Sequence, residues 1–182
     1  PATPLLSVDF SQGSAADLSE TPHVLTPFGS PAFETVEEFG RQVAVFDGAT
    51  AAFGYDFAAE DFAKLATSTT AELLVQFTAK PSSGYTDIFS CGQGGGQWLE
   101  YYPTGKLHYY FTDGSTNVST PVEPGVWTHI TATYDGASLK IYQDGVLAGE
   151  TAAAGAIAAP NASKARWYIG ADCGGEGEPQ AF

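Results

Sequence analysis

An all-β antiparallel sandwich of two sheets is the fold this sequence predicts, and three observations predict it. Short runs of alternating apolar and polar residues recur at roughly 8–12-residue spacing, the rhythm of a sandwich. Gly and Pro, 21 and 11 of them in 182 residues, punctuate those runs, as an all-β chain with many turns requires. Residues 127–149, WTHITATYDGASLKIYQDGVLAG, read as strand, tight turn, strand, tight turn. Asp135-Gly136 and Asp144-Gly145 supply those turns because Asp and Gly tolerate positive φ at low cost. The composition, 43% hydrophobic and 15% charged, is that of a folded chain. A single domain of this length buries roughly 70% of its unfolded surface without needing metal or multiple disulfides.

Residues 1–4 form a linker remnant, and one domain spans 5–182. Residues 5–10 alternate, with Leu6, Val8 and Phe10 on one face, and give a first strand. A polar loop follows, carrying Asp9, Asp17 and Glu20 close together. Residues 24–39 mix Pro, Gly and Phe in short strand pieces. Residues 42–46 form a strand ending at the turn Asp47-Gly48. Residues 55–65 hold Phe57, Phe62 and Leu65 at nearly helical spacing, the one helical signal. Residues 72–78 are a strand with Leu73, Val75 and Phe77 inward, and residues 87–91 another. Residues 97–102 and 106–112 make a hairpin around Pro103-Thr104-Gly105. After residues 127–149, an Ala-rich segment from 152 to 163 reads as extended rather than helical, and 166–171 is the last clear strand. The expected core is Leu6, Val8, Val45, Leu73, Val75, Phe77, Leu107, Tyr109, Phe111, Ile130, Ala132, Leu139, Ile141 and Ile169.

Charge narrows the function classes. The net charge is −14 with only 7 Lys and Arg, so nothing replaces phosphate counterions and nucleic acid is excluded as a partner. An anionic membrane surface is disfavoured on the same ground. No apolar run approaches the ~18 residues of a transmembrane helix. Catalysis also lacks a motif. There is no E-x-D-x-E strand of the kind that aligns glucanase carboxylates, no G-x-S-x-G and no H-E-x-x-H. Glu37-Glu38, Glu60-Asp61 and Glu176/Glu178 fall in loops or at a helix start, and His23, His108 and His129 are far apart in sequence. The domain is expected to be non-catalytic.

Period two yields a candidate binding face. With Leu99, Tyr101, Leu107, Tyr109 and Phe111 inward, Trp98, Glu100, Tyr102, His108 and Tyr110 point outward together. The same alternation turns His129, Lys140 and Tyr142 outward. Aromatic faces interleaved with hydrogen-bonding groups are what a glycan needs. The competing reading is a set of cross-strand aromatic pairs that only stabilise the sheet, by ~0.2–1 kcal/mol each. Two cysteines, Cys91 and Cys173, each end a β-like run. If those runs lie side by side a Cys91–Cys173 disulfide forms, as we expect; otherwise they are two separate buried thiols. The sequons at Asn117 and Asn161 matter only in a glycosylating host.

Residues 127–145 carry a family pattern, W-x-H-h-x-x-x-Y-D-G-x-x-h-x-h-Y-x-D-G with h apolar. Trp127, His129, Ile130, Tyr134, Asp135, Gly136, Leu139, Ile141, Tyr142, Asp144 and Gly145 meet every marked position. The stretch resembles the laminin-G-like, concanavalin-A-like jelly-roll family, and VAVFDG, AELLVQF, DIFSCG, the 97–111 hairpin and YIGAD fall in family order. The resemblance implies a two-sheet antiparallel jelly-roll sandwich, and the arrangement looks most like accessory modules of secreted bacterial hydrolases. It further implies a secreted, extracellular, lectin-like carbohydrate-binding module. The alternative is a structural module packing on an attached enzyme domain. Family members often hold a structural Ca²⁺ near the chain ends; the counterparts here are Asp9 and Asp17, with Asp172 or Glu176. Solvated loop acids and turn caps are the other reading of those residues. The family's final strand follows the I-G-x-D segment, whereas this chain stops at Phe182. The final strand is therefore expected to be missing, and the partners expected are a glycan, the rest of a parent polypeptide, or a chain supplying that strand.

Overall fold

The computed structural model describes residues 3–56, 58–92, 94–111, 116–161, 166–174 and 178–180. Phe57, Glu176, Ala162 and Ser163, invoked above, lie outside the described residues. In chain order, β1 (Val8–Asp9) pairs with β2 (Ala16–Asp17), then come β3 (Thr26–Phe28) and a hairpin of β4 (Ala32–Val36) with β5 (Arg41–Val45). Next are β6 (Ala52–Asp56), α1 (Ala59–Leu65), β7 (Thr69–Val75), β8 (Thr86–Cys91), β9 (Gln97–Tyr101), β10 (Lys106–Phe111) and β11 (Asn117–Pro121). The chain continues through β12 (Thr128–Tyr134), β13 (Ser138–Gln143), β14 (Val146–Ala152), β15 (Arg166–Ile169), β16 (Asp172–Cys173) and β17 (Pro179–Gln180). Among the described residues no helix is long and apolar enough to cross a membrane.

Two sheets form the sandwich. The larger has seven strands in the order β11-β10-β9-β8-β15-β6-β3; the smaller has four, β14-β13-β12-β7. Every pairing in them is antiparallel. The core lies between their inner faces, where Leu99, Tyr101, Leu107, Tyr109 and Phe111 of one sheet meet Ile130, Ala132, Tyr134, Leu139 and Ile141 of the other. Burying each large apolar side chain contributes about 1.5–3 kcal/mol. Along β12 burial alternates strictly, residue by residue, as a strand with one face in the core must.

The turns behave as their sequence dictates. Asp144 and Gly145 both have positive φ, 51° and 79°, the geometry of a two-residue type I′ hairpin. At the other Asp-Gly pair, the Asp135 carboxylate accepts the backbone N–H groups of Ala137 and Ser138. Asp47 likewise accepts those of Ala49, Thr50 and Ala51.

Several expectations need correction. The first strand is short: instead of running from 5 to 10 it is β1 alone, because the chain folds back locally and Ser7 donates to Asp17 while Leu18 donates to Ser7. Tyr55 does not begin the helix but lies in β6. That strand is masked in sequence by Gly54, which is required because a Cβ there would sit 2.7 Å from the Tyr168 ring. The edge strand β11 also escaped, being mostly polar, although Val118 and Thr120 point inward. Val8, Val45 and Ile169, expected in the core, are half-buried outside its main cluster.

Candidate functional site

The outer face of the seven-stranded sheet carries the predicted aromatic row. Register sets Trp98 opposite Tyr110 and Glu100 opposite His108 across β9 and β10, so all four share a face. The Trp98 and Tyr110 rings stack at 5.4 Å, and Tyr102 lies 4.7 Å from the His108 ring. Glu100 is the organising group. The Tyr102 hydroxyl donates to its Oε2 at 2.6 Å, and the Tyr110 hydroxyl donates to its Oε1. Burial, reinforced by these bonds to Glu100, pushes both tyrosine pKa values up, so both hydroxyls remain donors throughout the working pH range.

The face continues onto β8 through a bulge. Asp87 is opposite Glu100, and the register then shifts before Phe89, which is opposite Leu99. The extra residue, Ile88, puts Asp87 on the outer face while Phe89 still faces the core. A strict period of two would put Asp87 and Phe89 on one face, so alternation by itself does not find Asp87. The carboxyl of Asp87 is only 1% exposed. No hydrogen-bond donor among the described residues reaches either oxygen. Burial, with smaller contributions from Glu100 and Asp172, pushes its pKa up to about 9. Tyr85, 37% exposed, stands 5.8 Å from Tyr102 and extends the row toward solvent.

Not every member of the row meets solvent. Trp98 is 7% exposed and Glu100 2%. The segment carrying β16 packs against β8: Trp98 Nε1 donates to Asp172 at 3.2 Å, and Ser90 donates to the Ala171 carbonyl. The part of the row open to solvent is therefore the half-buried rings of Tyr102, His108 and Tyr110, plus Tyr85. Trp98 and Glu100 hold that surface from beneath.

His129, Lys140 and Tyr142 are not part of this surface. They lie on the outer face of the four-stranded sheet, on β12 and β13. Sheets that meet through their inner faces have outer faces pointing in opposite directions, so one outward rule sends the two groups apart. His129 pairs with Glu72 at 2.9 Å, Lys140 pairs with Asp135 and Glu150, and Tyr142 sits opposite Thr131.

The acids expected around calcium, Asp9, Asp17 and Asp172, each accept hydrogen bonds from the protein. Asp17 accepts backbone N–H groups from Ser7, Ser19 and His23, and side-chain bonds from Ser19 and His23. Burial works against its charge, but the N–H groups of His23, Ser7 and Ser19 outweigh it and hold the carboxyl well below the usual range. Asp9 accepts from Ser11, and Asp172 from Trp98. Among the described residues no three His, Cys, Asp or Glu side chains converge on a metal site.

The expected disulfide is absent: Cys91 and Cys173 are buried thiols. Cys91 belongs to the main core, whereas Cys173 packs with Ala52, Tyr168 and Ala171 in a separate small cluster. The strands do lie near each other, but the two side chains serve different sides of the sheet.

No curated protein matches the chain. Among solved structures, botulinum neurotoxin type C, which depends upon interaction with two ganglioside molecules to enter cells, superposes with a TM-score of 0.67 at 11% identity. That match covers 92% of this chain and 46% of the neurotoxin chain. The receptor binding domain of a botulinum neurotoxin C/D mosaic serotype gives 0.67 at 11% identity, covering 91% and 46%. The binding domain of botulinum neurotoxin DC in complex with SialylT gives 0.66 at 10%, covering 91% and 42%. The chain thus spans less than half the length of these structures, and the likeness is one of fold. A family profile described as the concanavalin A-like lectin/glucanases superfamily matches residues 47–181. With that match and two antiparallel sheets closed over one core, the chain belongs to the concanavalin A-like lectin/glucanases superfamily.

Proposed function

We propose that this chain is a non-catalytic carbohydrate-binding module of a larger secreted protein, and that the β8–β10 face holds the glycan. One observation carries the reading: Tyr102 and Tyr110, half exposed, are locked by their hydroxyls onto the same buried carboxylate, Glu100. Rings fixed before binding lose little rotamer freedom when a sugar stacks on them. Both oxygens of Glu100 are occupied by tyrosine donors, an arrangement suited to positioning rings rather than to nucleophilic attack. Structural neighbours described with ganglioside and SialylT partners support a glycan as the ligand class.

Glycan-array screening followed by calorimetric titration tests this. A Tyr102→Ala, Tyr110→Ala double variant that folds normally should lose binding by at least about fivefold, since each truncated stacking contact contributes about 0.5–1.5 kcal/mol. Unchanged affinity in that variant refutes the face. A second reading, a structural module packing on an attached enzyme domain, is favoured by exposed Leu74, Val146 and Leu147 on the smaller sheet. It predicts that no glycan is retained and that Val146→Ser, Leu147→Ser weakens association with the parent polypeptide.

A further inference from the structure

At the opposite edge of the seven-stranded sheet a cavity of about 310 Å³ lies among β3, β6 and β15, with His23, Phe28, Asp56 and Arg166 in its wall. We propose that this cavity is a second site, which takes the terminal residue of a neutral saccharide. Asp56 and Arg166 would read adjacent hydroxyls, and Phe28 and Val24 would cover the apolar flank of the ring. The inference rests on the reading of the chain as a sugar-binding module but uses none of the residues of the tyrosine row.

The polar pair is fixed in advance. Arg166 Nε and Nη2 reach Asp56 Oδ1 at 2.9 and 2.8 Å, and Nη1 donates to the Tyr168 hydroxyl at 3.2 Å. The guanidinium carbon stands 5.8 Å from the centroid of the Phe28 ring. The Arg166 Nε and Nη2 contacts to Asp56 reach Oδ1, and the Asp56 carboxylate is largely exposed, so Oδ2 is open to solvent as an acceptor. A donor beside an acceptor suits a pair of neighbouring hydroxyls, each of which can give and take a hydrogen bond. His23 completes the wall as a fixed ring: Nδ1 is 2.9 Å from Asp17, Nε2 is 3.5 Å from Asp61, and its ring lies tilted against Tyr55 with centroids 4.5 Å apart.

Charge selects a neutral ligand. The one guanidinium already faces Asp56 and, at 3.9 Å, Glu178. An anionic sugar would meet no surplus positive charge, because the guanidinium is already matched by two carboxylates on a chain of net charge −14. The apolar half is equally particular. A side chain at Gly54 would strike Tyr168 and Phe28, at 2.7 and 3.2 Å, so glycine lets Phe28 keep its place in the cavity wall. Val24 on the cavity wall is 85% exposed and gains cover only when the cavity fills. The volume sits at the small end of known ligand sites, about 300–1,000 Å³, which fits one pyranose and part of a second.

The test is titration of the whole chain with methyl glucoside, methyl mannoside, methyl galactoside and lactose, followed by calorimetry and by NMR of the Arg166 Nε–H, with sialyllactose as the anionic comparison. A neutral sugar should bind at about millimolar Kd, as expected for a small ligand in an open site, and should shift that resonance. Asp56→Asn should weaken binding by at least about tenfold, and Thr26→Trp, which puts a large ring on a residue of the cavity wall, should abolish it. Tyr102→Ala, Tyr110→Ala should leave it unchanged. The inference is overturned if no neutral sugar moves the Arg166 signal, if folded Thr26→Trp binds like the parent, or if only sialyllactose binds. Loss of array binding in the tyrosine variant alongside any of those results rejects the cavity and leaves the β8–β10 face standing. Loss in Thr26→Trp alone rejects that face and leaves the cavity.

Discussion

Replacing Asp87 by Asn probes the electrostatics beneath the tyrosine row. Asp87 is buried opposite Glu100, with no donor reaching its oxygens among the described residues. Burial first, then Glu100 and Asp172, raise its pKa from 3.8 to about 9. The folded state therefore holds this proton more tightly than the unfolded chain. The stabilisation is complete below about pH 4 and is lost as pH rises through about 9. Within that window each pH unit removes about 1.4 kcal/mol, so pH 5 to pH 8 removes about 4 kcal/mol. For a chain of this length 1 kcal/mol moves Tm by about 2–4 °C, and the melting temperature should fall by about 10 °C over that interval. Asp17, Asp47 and Asp135 have lowered pKa values. Their contribution is lost only as pH falls below the usual carboxylate range, outside pH 5–8. Asn keeps the shape of the protonated acid, and its amide can donate toward the neighbouring carboxylates. Asp87→Asn should therefore melt with a much flatter pH profile and outlast the parent at pH 8. Differential scanning calorimetry of both proteins from pH 4.5 to 9 at constant ionic strength measures the two slopes. Parallel profiles would show that Asp87 does not hold a proton in the folded state and would refute the reasoning.

Three further outcomes follow from the same geometry. Asp17→Ala orphans three backbone N–H groups at once and should cost about 3 kcal/mol in urea unfolding; a loss below about 1 kcal/mol would contradict the anchoring role. Burial pushes the Cys91 thiol up to about 12, and Cys173 is buried too. Neither should react with a thiol reagent in the native protein, two equivalents should react after denaturation, and dithiothreitol should leave Tm unchanged. His129→Ala and Lys140→Ala should leave glycan binding untouched, because both lie on the other sheet; loss of binding in either would move the sugar to that face.

Much of the fold was legible because its determinants are local. Alternation alone assigned Trp98, Glu100 and Tyr102 to one side of β9 and Leu99 and Tyr101 to the other, as observed. The Asp-Gly pairs announced their turns. Local signals failed where a strand departs from the rule: at the bulge that re-aims Asp87, and at Gly54, whose missing side chain is explained by Tyr168, more than a hundred residues away in sequence. They failed too for the cysteines, whose runs end near one another while their side chains enter different clusters.

By itself the sequence determined the sandwich class, the family pattern at 127–145 and the row from Trp98 to Tyr110, since turn chemistry and period two are written residue by residue. Tertiary structure alone decided which sheet each strand joins. That decision sent His129, Lys140 and Tyr142 away from the row, bonded Trp98 to Asp172 of β16, and gathered His23, Phe28, Asp56 and Arg166 around one cavity. The physical reason is that strand order and sheet stacking depend on pairings between distant segments, and no periodicity within one segment encodes its distant partner.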